Sequence, residues 1–339
     1  MSKRSICALL LILSILVGCG NPSDHGEPKL NWPQGEWNLA YEAQEDVYYQ
    51  GVCFADADNG WVVGWSGRIL HTDDGGHSWG LQESGTSSDL ECVYFINAQR
   101  GWIGSSNNTI GTTTDGGASW SWQQPEGEPR RTFMDMSFVD ENTGWIVDNF
   151  GGILHTQDGG VTWTPQSSST QWAITSVQFL NTNEGWATAT NRIVLRTTDG
   201  GQNWTTIDLN QVDYGATVIL EDIFFIDGDR GWISTNIMAS SDSSAFENGS
   251  PLLYTTDGGE TWQIQTSLPA SILKSVRFID QGMGWVASDR LFYSEDGGNS
   301  WTSQSTDVNG ELFQDICLVD NIGLWTVTFT GKIYHYRIP

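Results

Sequence analysis

The residues best suited to hold a metal or relay a proton in this chain are three histidines, His71, His155 and His335. Neutral imidazole ligates zinc, and its charge changes near neutral pH. The three, however, occupy one equivalent position in separate copies of a repeated segment, as in Arg68-Ile69-Leu70-His71-Thr72 and Lys332-Ile333-Tyr334-His335-Tyr336. Residues so dispersed do not converge on one ion, and packing or strand pairing is the better reading. Asp56-Ala57-Asp58-Asn59-Gly60 suggests a calcium loop but is one residue short of the ligating spacing. Its counterparts in other repeats mark it as a turn. Neither a Ser-His-Asp nor a Cys-His arrangement is discernible. No metal and no cofactor is expected. Cys53, Cys92 and Cys317 fall on the same type of strand in different repeats. An odd number cannot complete a disulfide framework, so they read as small buried packing residues.

The densest recurring pattern is Thr72-Asp73-Asp74-Gly75-Gly76-His77-Ser78-Trp79. Six copies read Ser/Thr-x-Asp-Gly-Gly-x-x-Trp at a period near forty, which marks a repeat architecture. Their acids are Asp74, Asp115, Asp158, Asp199, Asp257 and Asp296; five residues later come Trp79, Trp120, Trp163, Trp204, Trp262 and Trp301. The two glycines permit positive φ in a tight turn. The carboxylate can accept turn amides, the Ser/Thr adds another hydrogen bond, and the Trp is expected to pack between repeats with its N–H on a carbonyl. All these roles are structural. The acids are too regularly spaced along the chain to be read as catalysts.

The elements that carry the boxes are strands. A strand ending in an apolar residue precedes a Trp by seven positions in Phe54/Trp61, Phe95/Trp102, Phe138/Trp145, Phe179/Trp186, Phe225/Trp232, Phe278/Trp285 and Leu318/Trp325. Two positions past each strand end stands Asp56, Asn97, Asp140, Asn181, Asp227, Asp280 or Asp320, which starts a turn through its own side chain. This is a β-hairpin written seven times. A third strand leads into the box and the box Trp opens a fourth, giving antiparallel strands A to D from inner to outer. Seven such sheets arranged in a ring hide most edges, and the spacing predicts an all-β, single seven-bladed β-propeller with four-stranded blades. The seventh repeat stops at Pro339, where its box would stand. Its missing outer strand must come from the other end, so residues 36–42, around Trp37-Asn38-Leu39-Ala40-Tyr41, are expected to close the ring.

Residues 1–18 read as an export signal: Lys3 and Arg4 precede an apolar run, Ile6 to Val17, too short for a membrane span. Leu16-Val17-Gly18-Cys19 resembles the bacterial lipobox, with Cys19 as the lipidated residue, and Gly20 resembles the pattern sent to the outer membrane of Gram-negative cells. Residues 19–35 are then the lipidated cysteine and a polar tether, and 36–339 the propeller. Without Lys3 and Arg4 the chain keeps 13 Lys and Arg against 41 Asp and Glu, a formal charge of −28. Such a surface repels nucleic acid and excludes it as a partner.

The box pattern resembles the Asp-box, or BNR repeat, of sialidases, sortilin-type receptors, certain glucanases and photosystem II assembly factors. The Gly-Trp-Ile/Val hairpin, the Ile-Leu-His-Thr-like strand and Asp-Gly-Gly-x-x-Trp together are most similar to the last group, across nearly all of residues 37–339. That resemblance implies a single seven-bladed propeller and a lipoprotein in cyanobacteria. It also implies a protein client, the nascent D1 subunit, bound through a cluster of arginines. Arg130 and Arg131 in one inter-blade loop, with Arg192 and Arg196 in the next blade, are the positions available for that cluster.

The A–B turns and C–D boxes have fixed lengths, so one face of the ring is uniform. All length variation falls on the opposite face, in the B–C and D–A loops. It includes an extra segment in blade five from Met238 to Pro251, and D–A loops from Trp122 to Arg131, at Gln171-Trp172 and from Asn210 to Tyr214. Variable loops on a rigid scaffold carry function. Trp122, Arg130, Arg131, Trp172 and Tyr214 are the candidate binding residues there, as anchors for a protein or a sugar. Two functions follow. The first is a lipid-anchored, non-enzymatic propeller that binds a client of an envelope or photosystem-like membrane complex. The alternative is a carbohydrate-active Asp-box protein, since about thirty of the 41 acids lie outside the boxes and turns and two of them would suffice for glycoside hydrolysis.

Overall fold

Each blade begins where a strand of alternating burial meets a turn that its own side chains enforce. The computed structural model describes residues 37–44, 46–125, 131–212, 217–239, 249–270, 272–304, 311–319 and 323–337. Within these the strands form seven four-stranded antiparallel sheets, ordered A-B-C-D in chain order in six of them. The first blade comprises Tyr49–Phe54, Gly60–Gly64, Arg68–Thr72 and Gly80–Gln82. In the seventh, Phe313–Val319, Gly323–Thr328 and Lys332–Arg337 are completed by Trp37–Glu42, which pairs antiparallel with Lys332–Arg337 from Trp37 opposite Tyr336 to Glu42 opposite Lys332. The two ends of the propeller therefore share one sheet, as expected.

The A–B turns are Asx turns in the six blades where they are described. Asp56 accepts the Asp58 and Asn59 amides at 2.9 and 2.7 Å. Asn97, Asp140, Asn181, Asp227 and Asp280 repeat the pair of bonds; Asp320 lies outside the described residues. The boxes are equally regular. Asp74 accepts the Thr72 hydroxyl at 2.8 Å, the Ser78 amide at 2.9 Å and the Ser78 hydroxyl at 2.6 Å, while Thr72 accepts the Gly76 amide at 2.8 Å. The hydrogen bonds from Ser78, side chain first, hold the Asp74 carboxyl down at about 2. Asp115, Asp158 and Asp199 are lowered by the same donors, and in Asp257 and Asp296 the bonds overcome an opposing effect of burial.

The two tryptophans of each repeat divide the work differently from the sequence-based expectation. Both lie between blades, where Trp79 also meets Trp325, but it is the hairpin Trp, on strand B, that makes the face-to-face stack. Trp61 stacks on Phe95, Trp102 on Phe138 and Trp145 on Phe179 with ring centroids 3.5 to 3.6 Å apart; Trp186 and Trp232 do the same with Phe225 and Phe278. Trp325 stacks on Phe54 across the closing seam. The N–H groups of Trp61, Trp102, Trp145 and Trp186 each reach a box-glycine carbonyl of the next blade, at 3.1, 2.9, 3.2 and 2.8 Å. The box Trp instead meets, edge to face, the Phe of its own blade, as Trp79 meets Phe54 and Trp204 meets Phe179. Only Trp262 and Trp301 place their N–H on a carbonyl, each on its own box glycine. Those of Trp79, Trp120, Trp163 and Trp204 have no partner. Each stacked pair adds about 0.5–1.5 kcal/mol beyond its burial, so the hairpin Trp is the larger inter-blade contribution. It also explains the second box glycine. A Cβ on Gly76, at φ +79°, would lie 2.0 Å from the Trp325 ring.

Blade five departs from its neighbours. Its A and B strands extend to Thr217–Phe225 and Gly231–Ala239. Met238 and Pro251, expected at the ends of a loop, belong to strands B and C, so part of the extra segment lengthens the sheet.

Candidate binding face and central channel

The histidines are packing residues. His71 and His155 stack on Trp61 and Trp145 of their own blades, with centroids 4.8 and 4.7 Å apart, and His335 on Trp325 at 4.1 Å. Burial lowers the pKa of His71 and His155 and keeps them neutral. Among the described residues no group of three or more His, Cys, Asp or Glu side chains is placed to hold a metal.

Of the three candidate binding residues that are described, the fold exposes one. Trp172 is half exposed, at 50%, in the D–A loop before blade four. Trp122 belongs to the outer strand Ser121–Gln123 rather than to the D–A loop, half-buried over Gly111, and its N–H is taken by the Ser84 carbonyl at 2.6 Å, so it covers the edge of blade two. Arg131 is held by the buried Asp148 carboxylate at the end of strand B in blade three. Arg196 pairs with Glu184 and Glu260 on the opposite side of its blade from the loop carrying Arg192. Arg130 and Tyr214 lie outside the described residues. Arg131 and Arg196 thus answer to local acids rather than gathering into a patch. Three side chains that sequence reasoning missed stand with Trp172 on the variable-loop face: Trp65 and Phe150 in B–C loops, and Met238 at the end of strand B in blade five, at 38%, 58% and 56% exposure. Trp65 is steadied by Tyr48 and Phe329, centroids 4.7 and 5.5 Å away.

The inner strands enclose a cavity of about 540 Å³ bordered by residues from all seven blades. Six A strands carry a bulge two residues in, as between Tyr49 and Gly51 or Leu220 and Asp222, so that neighbours such as Glu221 and Asp222 both border the channel. Neighbouring A strands do not pair with one another, and their amides need other partners. Side chains supply them. Asp135 accepts the Val177 amide at 2.9 Å, Asp222 the Val276 amide at 3.0 Å and Asp315 the Val52 amide at 3.2 Å, each from the next blade. Ser176 hydrogen-bonds both Asp135 and Asp222, and Arg277 pairs with Asp222 and Asp315. Burial, then repulsion from Asp222, raises Asp135 to about 7. Burial raises Asp315 as well, against the pull of Arg277. Burial opposes the Arg277 charge, but its aspartate partners raise its pKa further.

A second layer of latches lies near the ends of five of the seven inner strands. Ser137 accepts the Phe179 amide at 3.0 Å, Gln178 the Phe225 amide at 2.6 Å, and Tyr94 donates to the Phe138 carbonyl at 2.8 Å. Cys53 and Cys317 use sulfur in the same way, accepting the Phe95 and Phe54 amides at 3.2 and 3.1 Å. The cysteines at this position are therefore latches, and only Cys92 is a buried packing residue. These channel residues were visible in the sequence as polar interruptions of apolar strands, had the seven inner strands been aligned.

Comparison with known proteins places the chain. The family model described as photosynthesis system II assembly factor YCF48 matches residues 30–128 and 121–239, and the BNR/Asp-box repeat matches 253–263. A comparison with curated protein sequences finds no match. Among solved structures, YCF48 bound to D1 peptide superposes with a TM-score of 0.72 at 19% identity, over 92% of this chain and 99% of that one. YCF48 from Cyanidioschyzon merolae gives 0.69 at 18%, over 89% and 98%. Virginiamycin B lyase from Staphylococcus aureus gives 0.70 at 13%, over 90% and 100%, a likeness of fold alone. With the two matches to that family model together spanning residues 30–239, more than half of the chain, and the repeat continuing beyond them, the chain belongs to the photosynthesis system II assembly factor YCF48 family.

Proposed function

We propose that this protein is a non-enzymatic propeller, tethered by a lipid on Cys19, that holds a protein client on its variable-loop face and aids assembly of an envelope or photosystem-like membrane complex. The observation that carries the reading is the placement of Trp65, Phe150, Trp172 and Met238, all exposed, on that one face. Large aromatic side chains on a rigid ring lose little entropy on binding and serve as anchors. A YCF48 bound to D1 peptide supports a protein segment as the ligand class, and the local pairing of Arg131 and Arg196 favours apolar over electrostatic capture. The carbohydrate-active alternative needs two carboxylates free to act on a sugar. Asp135, Asp222 and Asp315, which the fold does gather, are instead occupied with backbone amides, Ser176 and Arg277.

The test is affinity capture from envelope membranes with the full chain and with a Trp65→Ala, Phe150→Ala, Trp172→Ala variant. Leu81→Ala, on an outer strand, serves as control. One partner enriched by the wild type and the control, and lost with the triple variant, is the expected result. Equal capture by all three, or hits on a glycan array without protein enrichment, refutes it.

A further inference from the structure

Cys53 and Cys317 stand on the inner strands of the first and last blades, on the two sides of the seam where the ring closes. The Cys317 sulfur accepts the Phe54 amide at 3.1 Å. Since that nitrogen is bonded to the Cys53 carbonyl carbon, the sulfur lies within about 5.5 Å of the Cys53 Cα by backbone geometry. Their thiols donate to the neighbouring Phe95 and Leu318 carbonyls at 3.8 and 3.7 Å. Both border the central cavity, and both are partly exposed there. Cys92 is set apart: it is buried, two residues earlier in its strand, with its thiol aimed at the Phe133 carbonyl at 3.8 Å. The odd count of cysteines in the propeller thus resolves into one facing pair and one single residue.

We propose that Cys53 and Cys317 form an inter-blade disulfide that covalently closes the ring. The oxidant is a second disulfide, that of a thiol oxidoreductase or of oxidised glutathione. The Cys53 sulfur attacks one of its sulfurs and displaces the other as a thiol. The Cys317 sulfur then attacks the Cys53 sulfur of this mixed disulfide and releases the second thiol. Both cysteine protons and two electrons pass to the oxidant, one S–S bond forms and one breaks. The site is where a covalent closure has most effect. It joins residues 53 and 317, so nearly the whole propeller lies within the loop, and a long closed loop restricts the unfolded chain most. Without it the seam rests on the pairing of Trp37–Glu42 with Lys332–Arg337, the Phe54–Trp325 stack and the Asp315 latch to Val52. The neighbouring Cys317 thiol and burial raise the Cys53 thiol well above its usual range, so the reaction speeds up as pH rises.

The test treats the full chain with oxidised glutathione at pH 8.5, then alkylates under denaturing conditions, digests it and maps the peptides by mass spectrometry. The expected result is a peptide pair joined through Cys53 and Cys317, with Cys92 alkylated. It should be reversed by dithiothreitol and absent from C317S. The oxidised wild type should unfold roughly 5–10 °C above its reduced form, a shift that neither C53S nor C317S shows on oxidation. Because the oxidised and reduced forms of one protein are compared, a variant that folds poorly does not blur the outcome. Alkylation of both cysteines after oxidation, or pairing of Cys53 with Cys92, overturns the proposal.

Discussion

Asp135→Asn should make the propeller more stable above neutral pH and less sensitive to pH below it. Asp135 faces the inner strand of blade four, where Ser176 bridges it to Asp222, and accepts both Ser176 and the Val177 amide. Its carboxyl is pushed up to about 7 in the fold from the 3.8 usual for aspartate. The folded state therefore holds a proton there that the unfolded chain has already released. Stability falls as pH rises from about 4 to 7, and the cost is complete above 7. Each tenfold in proton affinity is about 1.4 kcal/mol, which sets an upper limit near 4 kcal/mol. The carboxylate faces an open channel that also holds Glu91, Glu221, Lys274, Asp315 and Arg277, so screening brings the expected figure to about 2 kcal/mol. Asparagine keeps a carbonyl for Val177 and cannot ionise. Urea unfolding at pH 4.5, 6 and 8 should show the wild type losing about 2 kcal/mol more than Asp135→Asn across that range. Parallel curves, or a variant destabilised more at pH 8 than at pH 4.5, would refute the assignment.

Four further outcomes follow from the packing and the ring closure. Trp145→Ala removes a fully buried ring, its stack on Phe179 and its bond to Gly200, and should cost about 3–5 kcal/mol in denaturant unfolding. Trp285 meets no Phe on the next blade and its N–H has no partner, so Trp285→Phe should cost less than Trp145→Phe in the same assay. Gly76→Ala should lower the thermal midpoint more than Gly85→Ala: both have positive φ, but only Gly76 would drive a Cβ into Trp325. Deleting residues 1–42 should leave Lys332–Arg337 as an open edge, read as concentration-dependent association in sedimentation velocity; a monomer of unchanged midpoint would count against ring closure by Trp37–Glu42.

The architecture was legible because its information is local and repeated. The turn at Asp56 and the box at Asp74 are decided by residues within five positions, and each is written six times in the described residues. The division of labour between the two tryptophans was not legible, because it depends on the neighbouring blade. Trp61 stacks on Phe95 while Trp79 meets Phe54, and both are simply a Trp near a Phe in the sequence. Exposure was harder still. Trp122 and Trp172 read alike in D–A loops, yet one finds the Ser84 carbonyl and a bed over Gly111 while the other finds neither. The channel shows why the site was the least readable part. Asp135, Asp222, Asp315 and Arg277 are drawn from four separate blades, and only closure of the ring brings them to one place. The physical cause is common to the three aspartates, and Arg277 pairs with two of them. Inner strands of a propeller cannot pair with each other, so their unpaired amides recruit polar side chains into the channel, and the residues that look most like a catalytic cluster are those that hold the blades together.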